Sequence, residues 1–210
     1  MDDAPSSFDC LLASCLEAGR CHIGQIYLGS DFTLCHSDDM GRDDLIHYAS
    51  PADAREIARY DEVGEFRPLK SAPNLKKGWL LKAGSMQGMV QALESFYPSA
   101  LGLWLSFLKG RLHPTTLREN LDRQTGMYRV TQLLRDDQAQ ELIACCCSSD
   151  GGCLRVILWE LAPGQPVTSL PASKLSLESF PADRIPLICR ESCNLIVAKA
   201  RPIAKGNLPG

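Results

Sequence analysis

Apolar residues in the first half of the chain follow first a helical and then a strand spacing. A helix is predicted over residues 8–18, because its apolar positions fall on one side: Phe8, Leu11, Leu12, Cys15 and Leu16. The segments HIGQIYLG and FTLCH are rich in β-branched and aromatic residues, and the turn residues Gly29 to Asp31 between them predict a β-hairpin. GWLLKA predicts a further strand, and Ser85 is placed to cap a helix over 86–96.

The second half of the chain has the denser apolar pattern and favours helices. The predicted helices are 99–108, which should be buried, 114–122, 136–147 and, in preference to a strand, 153–161. Residues 163–186 are rich in proline and serine and predict mainly loop. Residues 193–200 fit either a closing strand or a short helix.

The charge and hydropathy of the chain exclude two classes of function. The formal net charge is −3 and the basic residues form no long run, which argues against a dedicated nucleic-acid binder. No stretch approaches the roughly 18 apolar residues of a membrane span. The acidic start, MDDAPSSFDC, is unlike a secretory signal. The sequence therefore predicts a cytoplasmic protein with neither a nucleic-acid nor a membrane partner.

Ten cysteines are unusual in a cytoplasmic chain, where metal binding or thiol chemistry is commoner than a disulfide. Two late pairs, Cys147 with Cys153 and Cys189 with Cys193, have C-x5-C and C-x3-C spacing. A thiolate-bound metal centre needs soft ligands that converge, and the long segment between the pairs would let them fold back together. The wide first spacing favours an iron–sulfur cluster over a zinc ion, which usually takes closer pairs.

Other interpretations of the cysteines stay open. Cys145, Cys146 and Cys147 fit a packed helix end, because free cysteine is often buried. They also fit the reactive thiols of an oxidoreductase or peroxide sensor. The negative end of a helix dipole disfavours the thiolate that such chemistry needs, so this is the weakest hypothesis. Core or incidental roles are favoured for the early cysteines, which are Cys10, Cys15, Cys21 and Cys35.

One segment, RQTGMYR at residues 123–129, is too particular to be generic. Together with Tyr97-Pro98, Trp104 and the late cysteine pairs, it resembles the C-terminal region of a bacterial multidomain family. Those proteins carry chelatase domains similar to sirohydrochlorin cobaltochelatase, followed by a stabilising domain and a four-iron–four-sulfur (4Fe–4S) cluster domain. The earlier stretch from GQIYLG to GEFRPLKSAPNLKKGW looks like the stabilising domain.

This resemblance implies a set of site residues. The cluster ligands would be Cys147, Cys153, Cys189 and Cys193, with Cys145 or Cys146 as alternatives to the first. Four further residues would bind the cofactor by offsetting the negative charge of the cluster or by donating backbone N–H groups to its sulfurs: Arg123, Gly126, Arg129 and Arg155. The alternative is that the arginines only pair with surface carboxylates. The chelatase domains are missing from this sequence, so chelation itself does not carry over.

We therefore expect an α+β protein. A small mixed domain with a β-hairpin would span residues 1–96, a mainly helical cysteine-ligated cluster domain residues 97–202, and a flexible tail residues 203–210. We expect a 4Fe–4S protein with an electron-transfer or redox-sensing role, accessory to metal chelation in tetrapyrrole or cobalamin synthesis. Its partner would be a chelatase-like or electron-transfer protein. The alternative is a non-catalytic interaction module with a structural zinc (Zn) site on four cysteines. No P-loop, GxGxxG, GxSxG or HEXXH motif is present, so no catalytic residue is predicted.

Overall fold

The structure is a computed structural model that describes residues 7–67, 73–148, 153–160, 170–171 and 174–207. In chain order its helices are α1 (Phe8–Glu17), α2 (Ala54–Arg59), α3 (Met86–Phe96), α4 (Ala100–Leu108), α5 (Leu117–Asp122), α6 (Asp136–Cys147) and α7 (Asn194–Asn207). Its strands are β1 (His22–Ile23), β2 (Ile26–Leu28), β3 (Thr33–His36), β4 (Ile46–Tyr48), β5 (Trp79–Lys82), β6 (Thr115–Thr116), β7 (Val156–Ile157), β8 (Trp159–Glu160), β9 (Arg184–Ile185) and β10 (Ile188–Cys189). Short 3-10 helices cover Ser37–Asp39, Pro51–Asp53 and Gly126–Leu133.

The chain divides into two compact units, and the α+β class expected from the sequence is confirmed. Described residues up to Leu112, with Phe180–Leu187, form the first unit. His113 to Ser179 and the residues from Ile188 onwards form the second. The first unit extends past residue 96, where the sequence predicted the boundary, because α4 packs against α1 and α3.

The first unit is built on a mixed sheet with the strand order β4-β5-β3-β2-β1-β9. Its centre is the predicted hairpin, in which β2 and β3 pair antiparallel and Leu28 lies opposite Leu34. Strand β5 then adds antiparallel to β3, with Leu81 opposite Leu34. These three leucines are buried, so the pairing register places one apolar row in the core.

Helix α3 covers this core and has the predicted bounds. The Ser85 hydroxyl accepts a hydrogen bond from the Gly88 N–H at 3.1 Å, which caps the first turn. At the other end, the Phe96 ring stacks on the buried Trp79 of β5, with ring centroids 5.1 Å apart. The helix thus fixes the position of the sheet through an aromatic pair.

The prediction that residues 99–108 are buried holds for one side of the helix only. In α4, Ala100, Leu101 and Trp104 are buried, but Leu108 is 41% exposed. The helix packs against α1 and α3 on one side only, so its remaining apolar positions lie at or near the surface.

The second unit contains α5, α6, α7 and the 3-10 helix Gly126–Leu133, which packs against α7. Residues 153–161 are not the predicted helix over their described part. They form β7, which pairs in parallel with β10, and β8, which pairs in parallel with β6. The backbone hydrogen bonds of this segment are therefore made to strands that are distant in sequence. The local spacing of apolar residues does not reveal such partners. Much of the predicted loop that follows, residues 163–169 with 172 and 173, lies outside the described residues.

Helix α7 settles the two alternatives for residues 193–200 in favour of a helix, and it continues to Asn207. The predicted flexible tail from residue 203 is wrong as far as Asn207, and residues 208–210 lie outside the described ranges. Ile196, Val197, Ala200 and Ala204 are buried along one side of α7, and this packing holds the helix together through Pro202. In the part of the chain that the structure describes, no helix has the length and apolar character needed to cross a membrane.

Candidate metal centre

The four predicted cysteine ligands lie on four different parts of the second unit. Cys147 is the last residue of α6, and Cys153 precedes β7. Cys189 ends β10, and Cys193 lies directly before α7. Local structure therefore holds three of them at the end of a regular element or next to one, where the backbone is fixed.

Tertiary structure brings these thiols close to one another. Burial raises the pKa of Cys147 above its ordinary value, and the negative charges of Cys153, Cys189, Cys193 and Cys146, in that order, raise it further. Burial also raises the pKa of Cys189 to about 12, with Cys153 and Cys193 adding to the rise. Each of these two thiols thus lies within electrostatic range of the other predicted ligands.

Backbone pairing aligns the segments that carry Cys153 and Cys189. The parallel ladder sets Val156 opposite Ile188, and the Leu158 N–H donates to the Cys189 carbonyl at 3.0 Å. The Arg155 guanidinium also joins the two segments, because it donates to the Ile188 carbonyl at 2.8 Å. Two segments that are far apart in sequence are therefore fixed side by side.

Donors and cations lie next to the thiols. The Arg155 N–H donates to the Cys153 Sγ at 3.5 Å. The positive charge of Arg155 lowers the pKa of Cys189 against the larger effect of burial. Arg155 therefore lies where the sequence predicts it, beside the cysteines. The Cys189 thiol itself donates to the Glu191 carbonyl at 3.4 Å.

The three adjacent cysteines of α6 differ in their exposure and in the thiols near them. Cys145 is exposed, and Cys146 is buried, with Cys145 and Cys193 as the thiols that affect its pKa. Cys147 has Cys153, Cys189 and Cys193 around it. The geometry therefore favours Cys147 over Cys145 or Cys146 as the fourth member of the group.

The RQTGMYR segment lies against the loop between Cys189 and Cys193. Arg123 donates to the Arg190 carbonyl in that loop, and the buried Asn120 amide donates to the same oxygen. The Tyr128 hydroxyl donates to the Asn194 side chain at 2.7 Å. This segment therefore supports the second cysteine pair through its backbone and through the start of α7.

Two predicted cofactor-binding residues lie on the surface of this segment. Gly126 has a φ of +57° and begins the 3-10 helix, where it is exposed. Arg129 is exposed, and its side chain makes no hydrogen bond or ion pair with any residue within the described ranges. Their roles toward a cluster stay predictions.

Sequence reasoning missed three residues that support the site. Asn120 and Gln124 are buried polar residues one helical turn apart, and the Gln124 amide donates to the Asn120 carbonyl at 2.8 Å. Lys174 is buried and donates to the carbonyl of Cys153. The four-residue spacing of Asn120, on α5, and Gln124, just after it, was a usable signal. Lys174 stands alone in a proline- and serine-rich stretch, and nothing in the sequence marks it.

The chemistry of the group is that of a thiolate site in an apolar core. Cys147 and Cys189 share a buried cluster with Ile157 and Trp159, and the buried Trp159 indole N–H has no acceptor among the residues described. Within the same residues, no group of three or more His, Cys, Asp or Glu side chains is arranged to hold a metal ion. The soft donors, the nearby cations and the unused N–H fit a thiolate-ligated cluster.

The early cysteines lie in the first unit, as separate thiols. Cys15 and Cys35 are buried, Cys10 is exposed and Cys21 is partly exposed. Burial, and then the Asp39 carboxylate, raises the pKa of Cys35 to about 11. The first two therefore occupy core positions.

The raised pKa of Cys35 predicts a loss of stability at alkaline pH. Its thiol favours the folded state fully below its unfolded pKa of 9.0, and this contribution is lost as the pH rises toward about 11. Each pKa unit corresponds to about 1.4 kcal/mol. Between pH 9 and 11, the unfolding free energy of the reduced protein in urea should fall more steeply than that of Cys35→Ala. Cys10→Ala, at an exposed thiol, should behave like the wild type, and equal slopes in all three proteins would contradict the assignment.

Two family models match the chain, and they meet between residues 107 and 109. The model described as the DR2241 stabilising domain matches residues 12–107. The model described as a 4Fe-4S iron–sulfur cluster binding domain matches residues 109–202. The resemblance that the sequence suggested is therefore confirmed for both halves of the chain.

A solved structure is similar to most of the chain. It is DR2241 from Deinococcus radiodurans, described as a multi-domain protein with structural similarity to chelatases and with two additional novel domains. The sequences are 27% identical and the TM-score is 0.66. The match covers 92% of this chain and 41% of DR2241, so the chain spans less than half the length of that protein. No curated protein matches the sequence.

Proposed function

Because this chain joins a stabilising domain to a 4Fe–4S cluster-binding domain, we propose that its second unit holds a 4Fe–4S cluster on Cys147, Cys153, Cys189 and Cys193. The observation that supports this ligand set is that thiols from three other places in the chain lie within electrostatic range of Cys147. The charges of the other three all act on Cys147. Ionisation of a buried thiol is unfavourable in an apolar core, and bound iron removes that penalty because it holds the ligands as thiolates.

The surrounding residues suit the net negative charge of such a cluster. Arg155 supplies a positive charge near Cys189 and a backbone N–H to the Cys153 sulfur. Ile157 and Trp159 belong to the same buried core as Cys147 and Cys189, and they keep water from this side of the site. Hydrogen bonds to sulfur and exclusion of solvent are the protein's means of setting the potential of a cluster.

We assign the protein an electron-transfer or redox-sensing role. A bound 4Fe–4S cluster supplies one-electron redox chemistry. The chain's own residues bind it, shield it and compensate its charge, and no catalytic group lies beside them in the described part of the site. An accessory role follows, in which the protein exchanges electrons with a partner.

The partner we propose is a chelatase-like protein or an electron-transfer protein. The support is the relative DR2241, whose description joins two novel domains to a part similar to chelatases. This chain matches 41% of that protein. The cluster unit would then serve metal insertion into a tetrapyrrole, as in cobalamin synthesis, from a cytoplasmic location.

The proposal is tested by the metal content of the anaerobically purified protein. We expect about four irons and four acid-labile sulfides per chain, and a visible absorbance that bleaches on reduction with dithionite and returns on oxidation. The double variant Cys189→Ser/Cys193→Ser should lose both the iron and the colour. Cys10→Ser, at an exposed thiol of the other unit, should keep them.

Each contrary result removes a defined part of the proposal. Stoichiometric zinc without iron or sulfide would replace the cluster with a structural zinc site on the same four cysteines. A cluster that dithionite does not reduce would remove the redox role and leave a structural one. Iron that survives the double variant would remove the ligand assignment.

A further inference from the structure

Lys174 is a buried cation next to the Cys153–Arg155 segment, which leads into strand β7. Its side chain is held in the core of the second unit, with 8% of the residue exposed. The ammonium group donates to the carbonyl oxygen of Cys153 and, at 3.2 Å, to that of Arg155. It therefore binds the first and the last carbonyl of the segment Cys153–Arg155, which carries the Cys153 sulfur.

Among the described residues, the salt bridges include none between Lys174 and a carboxylate. Two neutral carbonyls satisfy hydrogen bonds but supply no opposite charge, and an uncompensated buried cation is costly. A site that keeps such a cation calls for an anionic group nearby.

The backbone at Cys153 is not held by regular secondary structure, unlike the backbone at Cys147 and Cys189. Cys147 is fixed by α6 and Cys189 by the β7–β10 ladder. Cys153 lies outside any helix or strand. Its described contacts are the Arg155 N–H at its sulfur and the Lys174 ammonium at its carbonyl. Lys174 is thus the described side chain that donates to the backbone of this segment, while Arg155 ties the segment to Ile188.

We infer that Lys174 is a positioning residue for the metal centre: it orients the Cys153–Arg155 segment through two carbonyls, and its positive charge offsets the negative charge of a thiolate-ligated cluster. Only the second of these roles rests on the proposed function. The first concerns the chain itself and holds with or without a bound metal.

The two roles are separated by three substitutions. Lys174→Met removes the donors and the charge, Lys174→Gln removes the charge and keeps amide donors on a shorter side chain, and Lys174→Arg keeps both. Lys205→Met is the control, because it removes the same charge from an exposed position on α7.

Amide hydrogen exchange on the full-length, metal-free, reduced chain tests the positioning role. We expect exchange at residues 154–157 to be at least tenfold faster in Lys174→Met than in the wild type, with little change in Lys174→Arg and in the control. Unchanged exchange in Lys174→Met would overturn this role. If Lys174→Met does not fold, Lys174→Gln decides, because its shorter side chain reaches the two carbonyls less well and should give an intermediate increase.

The midpoint potential of the iron–sulfur protein tests the charge role. Lys174→Gln should have a more negative potential than the wild type, because reduction adds negative charge that the missing cation no longer offsets. Lys174→Arg and Lys205→Met should stay near the wild-type value. A potential that is unchanged in Lys174→Gln would overturn the charge role. A wild-type protein without iron and sulfide would instead overturn the proposed function. The exchange measurement would still decide the positioning role, because it is made on the metal-free chain.

Discussion

Cys147→Ser is expected to abolish the iron–sulfur cluster, while Cys146→Ser and Cys145→Ser keep it. The three cysteines are adjacent on α6, but Cys147 has all three other predicted ligands within electrostatic range. Cys146 is affected by Cys193 of that set, and Cys145 is exposed. A serine hydroxyl is a poor ligand for a cluster that binds soft thiolates, so iron should fall from about four per chain to near zero.

The adjacent serine variants make this comparison internally controlled. All three changes replace one sulfur with one oxygen on the same helix, so a general loss of folding would appear in the circular dichroism of Cys146→Ser, which alters a buried thiol. Iron and sulfide should be measured on anaerobically purified protein in each case. Loss of the cluster in Cys146→Ser with retention in Cys147→Ser would move the ligand assignment to Cys146.

Trp79→Ala is expected to cost about 3–5 kcal/mol of unfolding free energy in the first unit. Trp79 has no exposed surface, and its ring stacks on Phe96 of α3. Its indole N–H donates to the Lys76 carbonyl at 2.6 Å. Removal of the ring would leave a cavity between β5 and α3 that the remaining side chains cannot fill, since both elements are fixed by their own hydrogen bonds.

Two further variants show how much of the lost unfolding free energy comes from the packing of the ring, how much from its hydrogen bond, and how much from truncating any aromatic side chain. Trp79→Phe keeps an aromatic ring against Phe96 but loses the donor, and it should cost about 1 kcal/mol for the hydrogen bond plus a smaller packing term. Phe66→Ala changes an exposed aromatic residue and should stay within about 0.5 kcal/mol of the wild type. Urea unfolding of the reduced protein measures all three. A loss below about 1 kcal/mol in Trp79→Ala would contradict the packing of this ring between β5 and α3.

The sequence by itself determined those features that depend on neighbouring residues. The β2–β3 hairpin, strand β5 and the helices α3 and α6 follow from short-range spacing, turn residues and a serine cap. The cysteine spacings and the RQTGMYR segment were enough to predict an iron–sulfur domain, which the family match confirms. These signals are local, so they survive without knowledge of the fold.

Tertiary structure decided how distant segments meet. Residues 156–160 became strands because β10 and β6 offer them backbone partners, and α7 continues through Pro202 because its buried side packs in the core of its unit. Which cysteine of the run lies within electrostatic range of Cys153, Cys189 and Cys193 depends on segments that are distant in sequence. Lys174 and Asn120 act on carbonyls that are 21 and 70 residues away in sequence. No local pattern encodes such contacts, since hydrogen bonds to a distant backbone place no constraint on the residues next to the donor.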